Sequence, residues 1–96
     1  MDIQIDELKD MKVVPMDLLM LADPSEEMIQ EYLPRSMGFA AREADKLVGV
    51  LLMMRTRPKT MEIMNISVLE THQNKGIGRQ LIGRAVEKAR QEKARV

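Results

Sequence analysis

Cysteine is absent from this chain, and histidine occurs once, at position 72. Without cysteine, neither a disulfide framework nor a thiolate metal site can form. The ten methionines do not make a soft-metal site by themselves, because no cysteine or second histidine accompanies them. We therefore expect no bound metal, and we place the protein in the reducing cytoplasm.

Aromatic residues are also scarce: the chain has one tyrosine, Tyr32, one phenylalanine, Phe39, and no tryptophan. Methionine fills irregular gaps between packed elements, so we expect methionines to take the place of aromatic rings in the core. Residues 72–96 are basic but contain no aromatic side chain on which a nucleic-acid base could stack, and the net charge of the chain is zero. We therefore expect no nucleic-acid partner.

Long hydrophobic runs are missing as well. The longest run, Leu47 to Met54, is interrupted by Gly49, and it is far shorter than the roughly 20 apolar residues that span a bilayer. The first residues lack the basic and apolar segments of a signal peptide. The expectation is a soluble protein with no membrane partner.

Charge is unevenly distributed along the chain. Residues 1–36 carry nine acids against three bases, a net charge of −6, whereas residues 72–96 carry seven bases against two acids, a net charge of +5. A basic segment beside a glycine turn suits a small polyanionic ligand, but a solvated helix face explains the same charges. Both interpretations stay open at this level.

Alternation and turn residues divide the chain into strands and helices. Residues 2–8 begin with alternating apolar residues and favour a short strand. Segments 38–43, 47–56 and 61–69 favour an antiparallel meander of three strands separated by polar turns. The last two strands are apolar on both faces, which predicts layers on both sides of the sheet. A long helix is expected from Gly76, with an apolar stripe made of Ile77, Leu81, Ile82, Ala85, Val86 and Ala89.

Two short helices are expected between the first two strands. The first covers residues 15–21 and is opened by its proline. In the second, Asp23 is predicted as the N-cap and Pro24 as the first helical residue. Glu26 and Glu27 would then stabilise the positive end of this helix.

The most informative stretch is Gln73-Asn74-Lys75-Gly76-Ile77-Gly78, which lies between an apolar strand and a helix start. Its glycines allow the backbone to approach a bulky ligand, and the helix start presents unpaired N–H groups and a positive dipole end. Two better-known phosphate motifs are excluded. Leu81 stands where a dinucleotide fingerprint needs a small residue, and no Gly-Lys-Ser/Thr triplet exists for a P-loop. The stretch is a candidate pyrophosphate-binding turn.

This Gln-x-x-Gly-x-Gly turn resembles that of the GNAT superfamily of acyl-CoA-dependent N-acyltransferases. The order of strand, two helices, three strands, turn and helix also matches, over essentially all of residues 1–96. Ile66-Ser67-Val68 is similar to the family's strand end before the cofactor loop, whereas Glu70 stands where proline is common. Ala22-Asp23-Pro24-Ser25 and Glu62-Ile63-Met64-Asn65-Ile66 look like small bacterial acetyltransferases. The resemblance implies an α/β (α+β) fold, an antiparallel four-stranded sheet flanked by helices, forming one truncated GNAT-like domain.

The resemblance also implies acetyl-CoA as co-substrate and transfer of its acetyl group to a primary amine, on a small molecule or a peptide, by direct attack on the thioester. The main chain of Ile66 and Val68 would pair with the pantetheine arm like an added strand, and an N–H near Val68 would stabilise the oxyanion. Backbone N–H groups of the turn would hold the pyrophosphate. The cofactor-binding residues so implied are Ile66, Val68, Gln73, Asn74, Lys75, Gly76, Ile77, Gly78 and Arg79.

Glu62 matches the position of the family's glutamate general base. It would take a proton from the ammonium group of the substrate, directly or through water. By strand alternation it shares a face with three apolar residues, and such surroundings would raise its pKa. Those residues are Met64, Ile66 and Val68. The alternative is an edge glutamate paired across the strands with Arg55 or Arg57.

Two further groups of residues have a structural interpretation. His72 is a loop residue, because no serine or cysteine partner pattern surrounds it. The acids Asp23, Glu26 and Glu27 are helix-start charges, although they would also attract a cationic acceptor.

The chain ends where the family would begin its fifth strand. The cleft would then lack its later strands, and Tyr32 lies too early to replace the tyrosine that often protonates the leaving thiolate. The strand at 61–69 would keep an open apolar edge. We expect a dimer or higher homo-oligomer through this strand. A catalytically inactive CoA-binding or self-associating remnant stays open as the alternative function.

Overall fold

The computed structural model describes residues 2–96 and contains one four-stranded antiparallel sheet. The strands, which neighbour one another in chain order, are β1 (Ile3–Glu7), β2 (Met37–Glu43), β3 (Lys46–Arg57) and β4 (Thr60–Val68). The helices are α1 (Met16–Leu19), α2 (Glu26–Tyr32) and α3 (Ile77–Gln91). Short 3-10 turns lie at Met11–Val13, Leu33–Arg35 and Glu70–His72. The predicted α/β architecture and element order are confirmed.

Helices cover both faces of the sheet, as the two-sided apolar strands predicted. One face packs against α3 through a buried stripe of Ile77, Leu81, Ala85 and Ala89. The other face packs against α1 and α2 through Leu18, Leu19, Ile29 and Tyr32. Ile82 and Val86 are 42% and 38% exposed, so the buried stripe of α3 is narrower than predicted. Met53 and Met61 are fully buried, which confirms the use of methionine in the core.

The N-cap of helix α2 lies two residues later than predicted. The cap is Ser25, whose Oγ accepts the N–H of Met28 at 3.2 Å. Asp23 instead accepts the N–H of Ser25 at 3.0 Å and the hydroxyl of Tyr32 at 3.1 Å. The prediction of Asp23 as cap and Pro24 as first helical residue is wrong, because a tertiary contact holds the Asp23 carboxylate.

Strand β4 contains a β-bulge at Met64. Leu52 pairs with Asn65, but the next residue of β3 pairs with Ile63, so Met64 is an extra residue in the ladder. An extra residue reverses the alternation of side chains beyond it. Ile63 and Ile66 accordingly pack on the same side of the sheet, against α3.

The chain leaves α3 towards the outer edge of β4. Arg95 forms a parallel bridge with Thr60. The N–H of Met61 donates to the carbonyl of Arg95 at 2.8 Å, and the N–H of Arg95 donates to the carbonyl of Lys59 at 3.0 Å. Within residues 2–96, the edge of β4 from 63 to 68 has no neighbouring strand. None of the helices in this part of the chain has the length and hydrophobicity that crossing a membrane requires.

Candidate functional site

The turn between β4 and α3 contains the predicted pyrophosphate-binding residues. Gly76 immediately precedes α3 and has a φ of 83°, a left-handed conformation that favours glycine. Asn74 has a φ of 62°, and asparagine tolerates that region better than most residues. Apart from Gly76 and its two neighbours in the chain, no described residue has an atom within 4 Å of the point that a Cβ would occupy on Gly76. The turn is therefore open in front of this glycine.

The start of α3 presents unpaired backbone donors. The N–H of Gln80 donates to the carbonyl of Gly76 at 3.1 Å. The N–H groups of Ile77, Gly78 and Arg79 come before this bond and have no partner inside the helix. No side chain in residues 2–96 caps them. Together with the positive end of the helix dipole, these donors form an arrangement that binds phosphate groups.

The backbone of Ile66 and Val68 faces the outer edge of β4. The N–H of Leu69 donates to the carbonyl of Val48 at 2.8 Å, so the main chain of Leu69 faces β3. Successive residues of an antiparallel strand face opposite edges. After the bulge, the main-chain N–H and C=O groups of Ile66 and Val68 therefore point away from β3. The open edge presents the main-chain groups that were predicted to pair with an extended ligand.

The open edge and the helix start form one continuous surface. The side chain of Ile66 lies beneath the first turn of α3, with its Cδ1 3.9 Å from the Cβ point of Gly78. Gln73 Nε2 donates to the carbonyl of Val68 at 3.1 Å and so joins the turn to the strand end. We call this the edge-and-turn surface: Ile66, Val68 and residues 73–79. It contains all nine of the predicted cofactor-binding residues, including the exposed cations Lys75 and Arg79.

Glu62 is exposed, in contrast to the apolar surroundings predicted for it. It lies opposite Met54, whose side chain packs on the α1 and α2 side of the sheet. Ile66 and Val68 pack on the α3 side. The predicted shared face is therefore found for Met64, which packs on the α1 and α2 side, but it is wrong for Ile66 and Val68, because the bulge at Met64 reverses the alternation.

The alternative partner of Glu62 is engaged elsewhere. Arg55 Nη1 donates to the carbonyl of Pro58, and Nη2 donates to the carbonyl of Glu92 at 3.1 Å. Arg55 thus joins the β3–β4 hairpin to the end of α3. Among the described residues, Glu62 forms no ion pair with either Arg55 or Arg57. Its carboxylate is open to solvent and to a ligand on its side of β4.

His72 connects the turn to the β2–β3 hairpin. Its Nε2 lies 3.0 Å from Glu43 Oε1, and its Nδ1 lies 2.8 Å from Thr71 Oγ1. The hydrogen bond from His72 lowers the pKa of the Glu43 carboxyl. This geometry agrees with the interpretation of His72 as a structural loop residue. Since Gln73 follows directly, the contact fixes the position where the turn part of the edge-and-turn surface begins.

A buried polar network joins β4 to α1 and α2, and it was not predicted. Ser67 Oγ donates to Asn65 Oδ1 at 2.7 Å, and Asn65 Nδ2 donates to Tyr32 Oη at 3.0 Å and to the carbonyl of Leu19 at 2.9 Å. The Tyr32 hydroxyl donates to Asp23 Oδ2 at 3.1 Å. Burial raises the pKa of Tyr32. The sequence signal was an asparagine and a serine in an apolar strand, but their partners are distant in the chain.

No three His, Cys, Asp or Glu side chains of residues 2–96 lie close enough together to hold a metal ion. The site chemistry available in the described chain is therefore that of backbone donors, two cations and one open carboxylate.

Known proteins are similar to this chain in sequence and in fold. The family model described as the acetyltransferase (GNAT) family matches residues 7–96. The uncharacterized N-acetyltransferase YvbK of Bacillus subtilis (strain 168) is 50% identical over 74 residues, which are 77% of this chain and 48% of that protein. The chain thus spans about half the length of this relative.

Solved structures give the same result. The IAA acetyltransferase from Bacillus cereus ATCC 14579 superposes with a TM-score of 0.87 at 43% identity, over 94% of this chain and 59% of that one. A GNAT family acetyltransferase from Elizabethkingia anophelis, with acetyl-CoA bound, superposes with a TM-score of 0.88 at 36% identity, over 96% and 60%. In sequence and in fold, this chain belongs to the acetyltransferase (GNAT) family.

Proposed function

We propose that this chain is the acetyl-CoA-binding part of a cytoplasmic N-acetyltransferase and belongs to a single GNAT-like acyltransferase domain. One observation carries the proposal: the edge-and-turn surface offers main-chain groups along β4 and at the start of α3 in a continuous row. An amide-bearing arm pairs with a strand edge, and a diphosphate binds at a helix start. Acetyl-CoA has both parts, and the similar Elizabethkingia anophelis protein binds it.

Each part of the surface has its role in this proposal. The main chain of Ile66 and Val68 pairs with the pantetheine arm, and Gln73 releases the carbonyl of Val68 to it. The backbone N–H groups of residues 74–79 contact the pyrophosphate. Lys75 and Arg79 add positive charge, which attracts the anionic cofactor and is screened by salt.

The proposed reaction is direct transfer of the acetyl group to a primary amine. The amine must be neutral to attack, so Glu62 takes one proton from the ammonium group, directly or through water. The nitrogen then bonds to the thioester carbonyl carbon, and an N–H near Val68 stabilises the oxyanion. The C–S bond breaks, the nitrogen loses its second proton, and the CoA thiolate takes up a proton.

Calorimetric titration of the 96-residue chain with acetyl-CoA tests the cofactor site. Gly76→Asp places a carboxylate in the open space before α3, where the pyrophosphate would lie. Like charges in contact cost several kcal/mol, so we expect binding to weaken by more than about 100-fold. Saturable binding by the original chain, lost in Gly76→Asp, supports the proposal.

Gly83→Asp is the matched control for this titration. Gly83 lies on α3, and apart from the nearby backbone of the helix itself no described atom is within 4 Å of the point that a Cβ would occupy on Gly83. The substitution therefore adds the same charge to the same helix away from the turn, and binding should be retained. Absence of binding by the folded original chain, or equal loss in both variants, contradicts the proposed site.

The open edge of β4 also supports a proposal of self-association. A second copy that pairs with this edge covers the same main-chain groups as the pantetheine arm, so the two events compete. We expect a dimer or higher homo-oligomer in sedimentation velocity, and saturating acetyl-CoA should shift it towards the monomer. An oligomer that persists with acetyl-CoA bound must use another surface.

The alternative is a non-catalytic module that binds CoA or only associates with itself. Release of free CoA thiol in the presence of a panel of primary amines separates the two functions. Turnover that Glu62→Gln lowers, at unchanged acetyl-CoA affinity, identifies an enzyme with Glu62 as its base. Tight binding without any thiol release identifies the binding module.

A further inference from the structure

The orientation of every bond in the buried network follows from one carbonyl. The carbonyl of Leu19 can only accept, so the side of the Asn65 carboxamide that faces it is the NH₂ group. The second N–H of this group then donates to Tyr32 Oη, and the Tyr32 hydroxyl must direct its own proton to Asp23. Asn65 Oδ1 accepts the proton of Ser67. The network therefore has a single arrangement, ending on a carboxylate.

Burial keeps the network in that arrangement. Tyr32, Asn65 and Ser67 are each 3% exposed, so water has little access to replace a lost partner. No buried side-chain polar atom in the described chain lacks a hydrogen bond. Breaking one bond therefore leaves a buried donor or acceptor unpaired, and such buried networks act as rigid units.

The network holds the strand segment that forms the open edge. Asn65 and Ser67 alternate with Ile66 and Val68, so the same four residues carry the buried network and the outward main chain. At its other end, Asp23 lies in the loop between α1 and α2, residues 20–25. Side chains join this loop to β4, because Asp23 accepts from the Tyr32 hydroxyl and that hydroxyl accepts from Asn65.

We propose that Tyr32 and Asn65 are positioning residues that couple the loop at 20–25 to the cofactor-binding edge of β4. A ligand that orders Ile66 and Val68 orders the loop through them, and by reciprocity an ordered loop strengthens ligand binding. The inference rests on the proposed acetyl-CoA site. In this proposal the α1–α2 loop becomes ordered when the cofactor binds, although the loop does not contact the cofactor.

The test is hydrogen exchange of residues 20–25 with and without saturating acetyl-CoA, beside calorimetric titration. In the original chain we expect acetyl-CoA to slow exchange in the loop by about fivefold or more, the lower end of usual coupling. Tyr32→Phe keeps the ring but removes the hydroxyl that links Asp23 to Asn65. It should abolish this slowing and raise the Kd for acetyl-CoA about fivefold.

Ser36→Ala is the matched control, because it removes a hydroxyl that donates to the carbonyl of Tyr32 at 2.8 Å, outside the network. It should leave both readouts unchanged. If Tyr32→Phe does not fold, Ser67→Ala tests the other end of the network with the same expected direction. If Tyr32 has only a structural role, Tyr32→Phe will lower the melting temperature but leave unchanged both the Kd for acetyl-CoA and the ligand-induced slowing of hydrogen exchange in the loop. That result overturns this inference and leaves the proposed function standing. Absence of acetyl-CoA binding by the original chain overturns the proposed function and this inference with it.

Discussion

The two outer edges of the sheet differ in how the rest of the chain protects them. At β1, the N–H of Leu8 donates to the carbonyl of Gly38 at 2.8 Å, so Leu8 faces β2 and Ile5 faces outward. Arg84 Nη1 of α3 donates to that outward carbonyl of Ile5 at 2.8 Å, and its guanidinium lies 5.2 Å from the centre of the Phe39 ring. The β1 edge is blocked by a side chain of α3.

Within residues 2–96, the edge of β4 is covered only at its two ends, by Arg95 at Thr60 and by Gln73, which donates to the carbonyl of Val68, so the stretch between them is open. Lys88 Nζ also pairs with Glu7 Oε2 at 3.3 Å and joins α3 to β1, whereas at β4 Arg95 covers only the start of the strand. Exposed strand edges promote aggregation, and proteins commonly cover them or place charges there. The same helix that closes one edge leaves the other open beside its own N-terminus. The proposed pairing with the pantetheine arm uses this open stretch of β4.

Proline substitution along β4 has the largest expected effect on this comparison. Ser67→Pro removes an N–H that faces β3 and should destabilise the fold by about 3 kcal/mol or more. Ile66→Pro removes an N–H that faces the open edge, so it should leave most of the stability but abolish acetyl-CoA binding. Urea unfolding and calorimetric titration of both variants measure the difference.

Ser67→Ala is the control that removes the serine hydroxyl without touching the backbone N–H. It should cost about 1–3 kcal/mol, because Asn65 then loses one partner. Equal destabilisation by the two prolines would show that the outward orientation of Ile66 is wrong. Unchanged acetyl-CoA affinity in Ile66→Pro would show that the cofactor arm does not pair there.

Local patterns were sufficient to predict the element order and the turn. Each strand and helix has its own periodicity, and the glycines before α3 indicate a special backbone conformation, found at Gly76. The face of Glu62 was not predictable in this way. A bulge depends on the register with β3, and one extra residue reverses every side chain after it.

Long-range polar contacts were also beyond the sequence. Arg84 and Ile5 are 79 positions apart, so no local pattern predicts that this arginine, among the several cations of α3, blocks β1. Asp23 and Ser25 are both suitable N-caps by residue type. The Tyr32 hydroxyl that holds Asp23 decides between them, and it is positioned only when α2 packs on the sheet.

Two arginines of α3 sharpen the contrast between the closed and the open edge. Arg84→Ala loses a hydrogen bond and a cation–π contact at β1, and should destabilise the fold by about 1–2 kcal/mol without changing acetyl-CoA affinity. Arg79→Ala, at the exposed start of the helix, should change stability by less than about 0.5 kcal/mol. Its acetyl-CoA affinity should fall about fivefold at low salt and less at high salt. A loss of affinity in Arg84→Ala equal to that in Arg79→Ala would contradict the division between the edges.

The smallest expected effect concerns the contact between His72 and Glu43, which joins the turn before α3 to the end of β2. The hydrogen bond from His72 lowers the pKa of Glu43 below its usual value of 4.5 in the folded chain. A lowered pKa stabilises the fold above the unfolded pKa, and this contribution is lost as pH falls through the folded pKa. Glu43→Gln should therefore reduce stability at neutral pH, and its difference from the original chain should vanish as the pH falls below 4.5.

Urea unfolding from pH 7 down to pH 3 measures this difference, with Glu70→Gln as the control. Glu70 lies in the same short turn as His72, and within residues 2–96 it makes no ion pair. The effect should be small because the Glu43 side chain is 40% exposed, and water screens the interaction. A difference that persists unchanged to pH 3 would show that the carboxylate is not the source of the stability. Glu43→Gln is also titrated with acetyl-CoA. If it lowers the free energy of acetyl-CoA binding by more than it lowers the free energy of unfolding, the His72–Glu43 contact belongs to the cofactor-binding surface, which then extends to the end of β2.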